Sequence, residues 1–247
     1  MSGHSKWSTI KRQKEVKDAK KGAIFTKLAT AITVAVRQSG GVADPDQNFR
    51  LRLAVEKARQ FNMPKDNISR AIDKGTGTGG GERMSEAVFE GFLPGGAAVI
   101  IETVTDNKLR TAQEIKTLLD KGGGSLGSSG AVGYLFNQLG ELKVKVRDTS
   151  LKSMDEQELE MIDLGIEDVE VVEDGFLIYC EPKKTFEIKQ RLEDLGYEVE
   201  SADLVMKPFV PLDLPQEERQ KADRLVEKLW ELGDMTNVWC NYLIKAD

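Results

Sequence analysis

The chain has 247 residues, room for one to three domains at roughly 150 residues each, and 40% of them are hydrophobic, enough for packed cores. No apolar run approaches the ~18–20 residues a membrane span needs, no apolar core of a signal peptide opens the chain, and Cys180 and Cys240 stand far apart in no pair motif, which favours buried reduced thiols over a disulfide framework. The formal net charge of −6 conceals an asymmetry: residues 1–80 hold 16 Lys and Arg against 7 Asp and Glu, net +9, while the remainder carries −15. Such a split points to one part that faces a polyanion and another that stays solvated.

In chain order, residues 1–21 are polar and basic, with too little apolar surface to pack alone, and read as a loosely held arm. Phe25, Leu28, Ala29, Ile32 and Val36 then fall on one helical face, ended by Gly40-Gly41. Leu51, Ala54, Val55, Ala58 and Phe61 give a second helix, and Ile68, Ala71 and Ile72 a third, entered at Pro64 and closed by Gly75. Three short amphipathic helices predict a bundle, and Gly75–Gly81 reads as a flexible linker.

Two strand-like runs, 87–93 and 97–104, flank Pro94-Gly95-Gly96 as a hairpin. Asp106 or Asn107 is placed to cap a helix through about 121. A Gly/Ser loop over 122–130 precedes a strand near 131–137, and a turn at Gly140 starts another over 141–147. From there the order is strand 141–147, helix 155–164, strands 168–173 and 176–181, helix 184–195 and strand 197–206. That is βαββαβ, the ferredoxin-like sequence of elements. A helix over 216–232 and a strand over about 236–244 follow, expected to pack back on 87–137, with a free C-terminal hairpin as the rival reading. The expected fold class is α+β. Its domains are a basic helical one over 1–80, a discontinuous α/β one over 81–139 plus 207–247, and an inserted ferredoxin-like one over 140–206.

Catalytic chemistry has few carriers. His4 is the one histidine, and neither a Ser–His–Asp nor a Cys–His arrangement can be assembled around it. No CxxC or HExxH spacing suggests a metal. The Gly75–Gly81 run lacks the Gly-Lys-Ser/Thr ending of a P-loop and follows a helix. The 122–130 loop is read as mobile, with an anion nest of backbone amides as the sharper alternative. The dense carboxylates from Asp155 to Asp174 read as a solvated acidic face. No enzyme, cofactor, metal or small-molecule substrate is expected.

The binding surface is expected on the head. Lys6, Lys11, Arg12, Lys14, Lys17, Lys20, Lys21 and Lys27 crowd its beginning, and Arg50, Arg52, Arg59 and Lys65 extend the sign through the bundle, as do Arg37, Arg70 and Lys74. Like charges at this density repel, and a polyanion relieves the repulsion while releasing counterions. His4 is read as a phosphate contact. Trp7, inside the cluster, is read either as a base-stacking side chain or as an anchor against the bundle.

Gly3-His4-Ser5-Lys6-Trp7, Ile24-Phe25-Thr26-Lys27-Leu28, Asn62-Met63-Pro64-Lys65-Asp66-Asn67-Ile68, Glu90-Gly91-Phe92 and Thr105-Asp106-Asn107 with Arg110-Thr111 occur in this order, followed by the 123–130 glycines. In these motifs the chain resembles the YebC family from end to end, with weaker pattern after residue 140. Before the last strand, where the family usually has an acidic pair, stands Gly233-Asp234-Met235-Thr236. The resemblance implies a three-domain α+β protein without catalytic residues or cofactor. It also implies either a translation factor acting on the ribosome, as in relief of stalling at proline-rich sequences, or a DNA-binding transcriptional regulator. An arm without helix-turn-helix geometry favours ribosomal RNA over sequence-specific DNA reading. A protein–protein scaffold using the acidic domains is the third reading. The opening motif, two residues from the start, suggests a bacterial-type cytosolic member, with no membrane partner.

Overall fold

The structure is a computed structural model that describes residues 18–77, 85–147, 152–172 and 174–243, with the side chains of 18–23 left out of that description. The expected arm therefore lies largely outside the described residues, as does most of the expected linker. The described residues form two compact units, one over 137–207 and the other from the residues before and after it. The helical head and the discontinuous α/β layer, expected as separate domains, fall together in the second unit.

Helices α1 (Asp18–Gln38), α2 (Phe49–Gln60) and α3 (Lys65–Thr76) form the head. Ile32, Val36, Leu51 and Ala58 are fully buried at its centre, joined by Met63, Ile68 and Ala71. The α1–α2 connection is fixed by one buried amide. Asn48 Oδ1 accepts from Leu51 N at 3.1 Å as the N-cap of α2, while its Nδ2 donates to Ala35 O, Ser39 Oγ and Val42 O at 2.8–3.0 Å. Gly75 does not close α3, as its residue type suggested. It lies inside the helix, where a Cβ would stand 2.6 Å from Val36 Cβ, so it permits close approach to α1. The cap is Gly77, left-handed at φ 85°.

The second layer is a sheet in the order β3-β1-β2-β8, with β1 at Ser85–Phe92, β2 at Ala98–Thr105, β3 at Ser125–Leu126 and β8 at Met235–Cys240. The β1–β2 hairpin pairs Phe92 with Ala98 around Pro94–Gly96. Asn107 caps α4 (Lys108–Gly122), its Oδ1 accepting from Arg110 N at 3.1 Å. Helix α7 (Gln216–Glu231) joins α4 on the sheet, burying Ile101, Ile115, Leu119, Ala222, Val226 and Leu229. The chain thus returns, after the 137–207 unit, to complete this layer through antiparallel pairing of β8 with β2.

The 137–207 unit contains β4 (Phe136–Lys145), α5 (Met154–Ile162), β5 (Asp168–Val172), β6 (Gly175–Cys180), α6 (Thr185–Asp194) and β7 (Val199–Pro208). Its strand order, β5-β6-β4-β7, is that of a ferredoxin-like βαββαβ sheet. Leu142, Val144, Phe176 and Ile178 meet Met161, Ile188 and Leu192 in its core. No turn occurs at Gly140. Strand β4 runs through it, and the run expected as two strands is one. The molecule is an α+β protein.

Candidate nucleic-acid interface

Among the expected contacts, His4, Lys6, Trp7, Lys11, Arg12, Lys14 and Lys17 lie outside the described residues, and Lys20 and Lys21 fall near the start of α1 with their side chains outside the description. Lys27 Nζ donates to Trp230 O at 2.9 Å and lies 5.0 Å from the centre of that indole. Burial holds its ammonium below the ordinary lysine range. This contact ties the head to the last turn of α7. Arg52 Nε donates to Pro45 O and its NH2 to Asp46 O, both at 2.8 Å, so it braces the 45–46 turn. Arg50 donates to the Gln38 side chain, which donates in turn to Glu86 on β1. Burial pushes the Glu86 carboxyl up, against the opposing pull of Gln38 and Arg50. Arg59 and Lys65 are exposed.

The turn between Arg59 and Lys65 explains one motif. Met63 N donates to Ala58 O at 3.0 Å and Asn62 N to Arg59 O at 2.9 Å, the two bonds of a Schellman cap, with Asn62 left-handed at φ 56°. Met63 is buried beneath it, and Pro64 precedes the first residue of α3. Asn62→Val is expected to cost about 1–2 kcal/mol, because a β-branched residue resists this conformation, whereas Asn62→Gly should be nearly neutral. Urea unfolding of the full chain checks this, and equal midpoints for the two variants would contradict the assigned turn.

Reasoning from sequence placed Arg37, Arg70 and Lys74 among the head's cations without singling them out as site residues. The structure brings these three to one cleft of about 390 Å³ between α1 and α3, with Val104 of β2 also on its wall. Thr33 Oγ1 donates across the helix pair to Ala71 O at 2.9 Å, and Gly75 sits against Val36, so α1 and α3 run side by side in parallel register. In that register Phe25 and Ala29 share one end of the cleft with Met63 and Asn67, and Arg37 and Lys74 share the other. The detectable signal was spacing. Positions 26, 30, 33 and 37, and 63, 67, 70 and 74, each recur every three or four residues beside the core stripes.

The glycine loop is ordered by a carboxylate of the chain itself. Glu90 Oε1 accepts from Gly130 N, and its Oε2 from Val132 N and Gly133 N, each at 2.7 Å. Only Gly130 of these three belongs to the 122–130 loop where a nest is the sharper alternative; with Val132 and Gly133 beyond the loop it forms a nest of amides that Glu90 fills. Burial pushes this carboxyl up, and the three amide bonds more than reverse that, holding it below the ordinary carboxylate range. Asp234, the acid in Gly233-Asp234-Met235, is also engaged. It accepts from Thr111 Oγ1 at 2.6 Å and from Arg110 NH2 at 3.1 Å, and Arg110 also meets Asp106 at 2.7 Å.

On the 137–207 sheet, the face opposite the helices carries ion pairs. Lys143 meets Glu200 at 2.7 Å, Lys145 meets Glu198, and Lys207 meets Asp168 and Glu170 at 2.7 and 2.9 Å while lying 3.5 Å from the Tyr179 ring centre. RNA-recognition modules with this strand order present unpaired aromatics on that face; here Tyr179 is fully buried. Among the described residues no group of three or more His, Cys, Asp or Glu side chains is placed to hold a metal ion. No described helix is long and apolar enough to cross a membrane. Burial raises the Cys180 thiol, and that of Cys240 more strongly, which keeps both protonated and unreactive.

Comparison with known proteins agrees along the whole chain. Residues 5–78 match the model of the TACO1/YebC protein N-terminal domain, and residues 84–242 that of the TACO1/YebC second and third domain. A protein of Thermoanaerobacter pseudethanolicus named "probable transcriptional regulatory protein" is 44% identical over 249 residues, covering 100% of this chain and 99% of that one. A Rubrobacter xylanophilus protein of the same name is 44% identical over 248 residues, covering 100% and 97%. The crystal structure of a conserved hypothetical protein from Aquifex aeolicus superposes with a TM-score of 0.81 at 39% identity, over 93% of each chain. The chain belongs to the TACO1/YebC family.

Proposed function

We propose that this protein is a non-enzymatic regulator of gene expression that engages nucleic acid through its basic head, acting in the cytoplasm on the ribosome through ribosomal RNA. The observation that carries this reading is the concentration of cations in residues 1–80, net +9 against −15 elsewhere. Neutralising phosphates with such a cluster supplies affinity without sequence reading. The acidic remainder, with its sheet cations already paired to carboxylates, disfavours a second polyanion surface. On this reading Lys6, Lys11, Arg12, Lys14, Lys17, Lys20 and Lys21 contact phosphates, with His4 and Trp7 beside them and Arg59 and Lys65 extending the track. Relief of stalling at proline-rich sequences is the specific role proposed, and no small-molecule substrate is required. The names of the relatives favour a second reading, a DNA-binding transcriptional regulator.

Co-sedimentation with ribosomes at rising salt, beside binding to duplex DNA, separates the two. Changing Lys11, Arg12, Lys14 and Lys21 together to Glu should weaken ribosome association at least about tenfold and flatten its salt dependence, each lost phosphate contact removing roughly 0.7–0.9 from the log–log slope. Tight duplex binding with one clear sequence preference would replace the ribosomal reading with the transcriptional one. Unchanged association with both targets would overturn nucleic-acid engagement through the head.

A further inference from the structure

The cleft between α1 and α3 has a composition that the phosphate-contact reading does not use. Its walls are apolar at the end formed by Phe25, Ala29 and Met63, and cationic at the end formed by Arg37, Arg70 and Lys74. At about 390 Å³ it lies in the range of pre-formed small-ligand sites, roughly 300–1,000 Å³. A run of phosphates on a duplex surface needs no apolar wall, and a purely apolar ligand needs no cations. An unstacked nucleotide needs both, a face against which its base loses water and charges that meet its phosphates. Arg37 and Lys74 stand in the last turns of their helices, where a cation also complements the helix dipole. Arg70 does not, and its guanidinium provides a planar surface as well as a charge. Asn67 adds a carboxamide with both donor and acceptor for a base edge.

We propose that this cleft takes one unstacked nucleotide of a single-stranded RNA, its base against the Phe25–Ala29–Met63 end and its flanking phosphates toward Arg37, Arg70 and Lys74. The proposal rests on nucleic-acid engagement by the head and specifies its form. The chain's own amino-terminal arm is the rival occupant. Residues 1–17 carry Lys6, Lys11, Arg12, Lys14 and Lys17 against Glu15, a net positive charge that the three cations of the cleft repel. An anionic strand is attracted by both.

The test uses the full-length protein and two 12-nucleotide probes, a single-stranded RNA and the same ribose-phosphate backbone without bases. Wild-type protein should bind the base-bearing strand at least about tenfold more tightly. Thr30→Trp, which fills the cleft from α1, should abolish most of that difference while leaving affinity for the baseless strand within about twofold. Arg70→Glu, at an exposed position outside the core, should weaken both probes, so a folding defect in the first variant does not decide the outcome. Equal wild-type affinity for the two probes would overturn the cleft proposal, as would a base preference that survives Thr30→Trp. In either case the head remains a nucleic-acid surface provided the four-residue charge reversal in the arm still releases the RNA. If that reversal also has no effect, both readings fall.

Discussion

Gly140→Ala is expected to destabilise the 137–207 unit by about 3 kcal/mol, read as a lowered denaturant midpoint for that unit. Gly140 lies inside β4, opposite Cys180 of β6. An ideal Cβ there would stand 1.9 Å from Thr185 Oγ1, 3.0 Å from Thr185 Cβ and 3.1 Å from Cys180 Sγ. Neither neighbour has room to retreat, because Thr185 and Cys180 are both fully buried. Thr185 is β-branched and stiff about χ1, and its hydroxyl donates to Pro182 O at 2.9 Å in the entry to α6. Rotating it away sacrifices that bond, and one of the two other staggered rotamers drives the methyl group into the same space. The double variant Gly140→Ala with Thr185→Ala removes the severe overlap and leaves the 3.0 Å approach of the two Cβ atoms and the 3.1 Å approach to Cys180 Sγ. It should therefore be more stable than the sum of the single costs by about 1–2 kcal/mol. A single variant within about 0.5 kcal/mol of wild type would contradict the β4–α6 packing.

Gly140 also marks where sequence reasoning stopped. Periodicity reported the three head helices, the hairpin, the βαββαβ order and the existence of the last helix and strand, because each depends on residues near one another in the chain; that the last two return to β2 depends on pairing across more than 130 residues, which periodicity does not carry. Glycine carries two meanings that local pattern does not separate. It permits a turn through positive φ, and it permits another element to come close. At Gly77 and Gly123 the first meaning applies, with φ of 85° and 83°. At Gly75 and Gly140 the second does, and the partners, Val36 and Thr185, lie 39 and 45 residues away. Lys27 illustrates the same limit on the candidate site. Its sign and neighbours placed it with the phosphate-facing cations, and only the fold brings Trp230, some 200 residues on, to its ammonium. Charge count located the head, but which cations share a cleft depends on the register of α1 against α3, set by Thr33, Ala71 and Gly75.

Glu90→Gln should loosen the 127–133 loop by about 2 kcal/mol, and the loss should depend on pH. Each bond from an amide to an ionised carboxylate contributes roughly 1.5–3 kcal/mol, and Glu90 accepts three. The total is smaller than their sum, because the side chain is only half-buried and water can reach the amides when it is gone. Glutamine keeps the shape but turns an NH2 group toward amides that are themselves donors, so it should restore little. The folded carboxyl lies below its ordinary value, about 4.3 in an unfolded chain. The stabilisation is therefore fully present above that value and disappears as pH falls through the folded pKa. The gap between wild type and Glu90→Gln should be constant from pH 6 to 8, begin to narrow near the ordinary carboxylate value of about 4.3 and close as pH falls through the lower folded pKa. Amide hydrogen exchange at Gly130, Val132 and Gly133 reads the local opening directly. Protection in wild type at neutral pH, lost in the variant, is the expected result. Rapid exchange of all three amides in wild type would mean that the nest is not held by its own carboxylate, and that the loop is open to an outside anion instead.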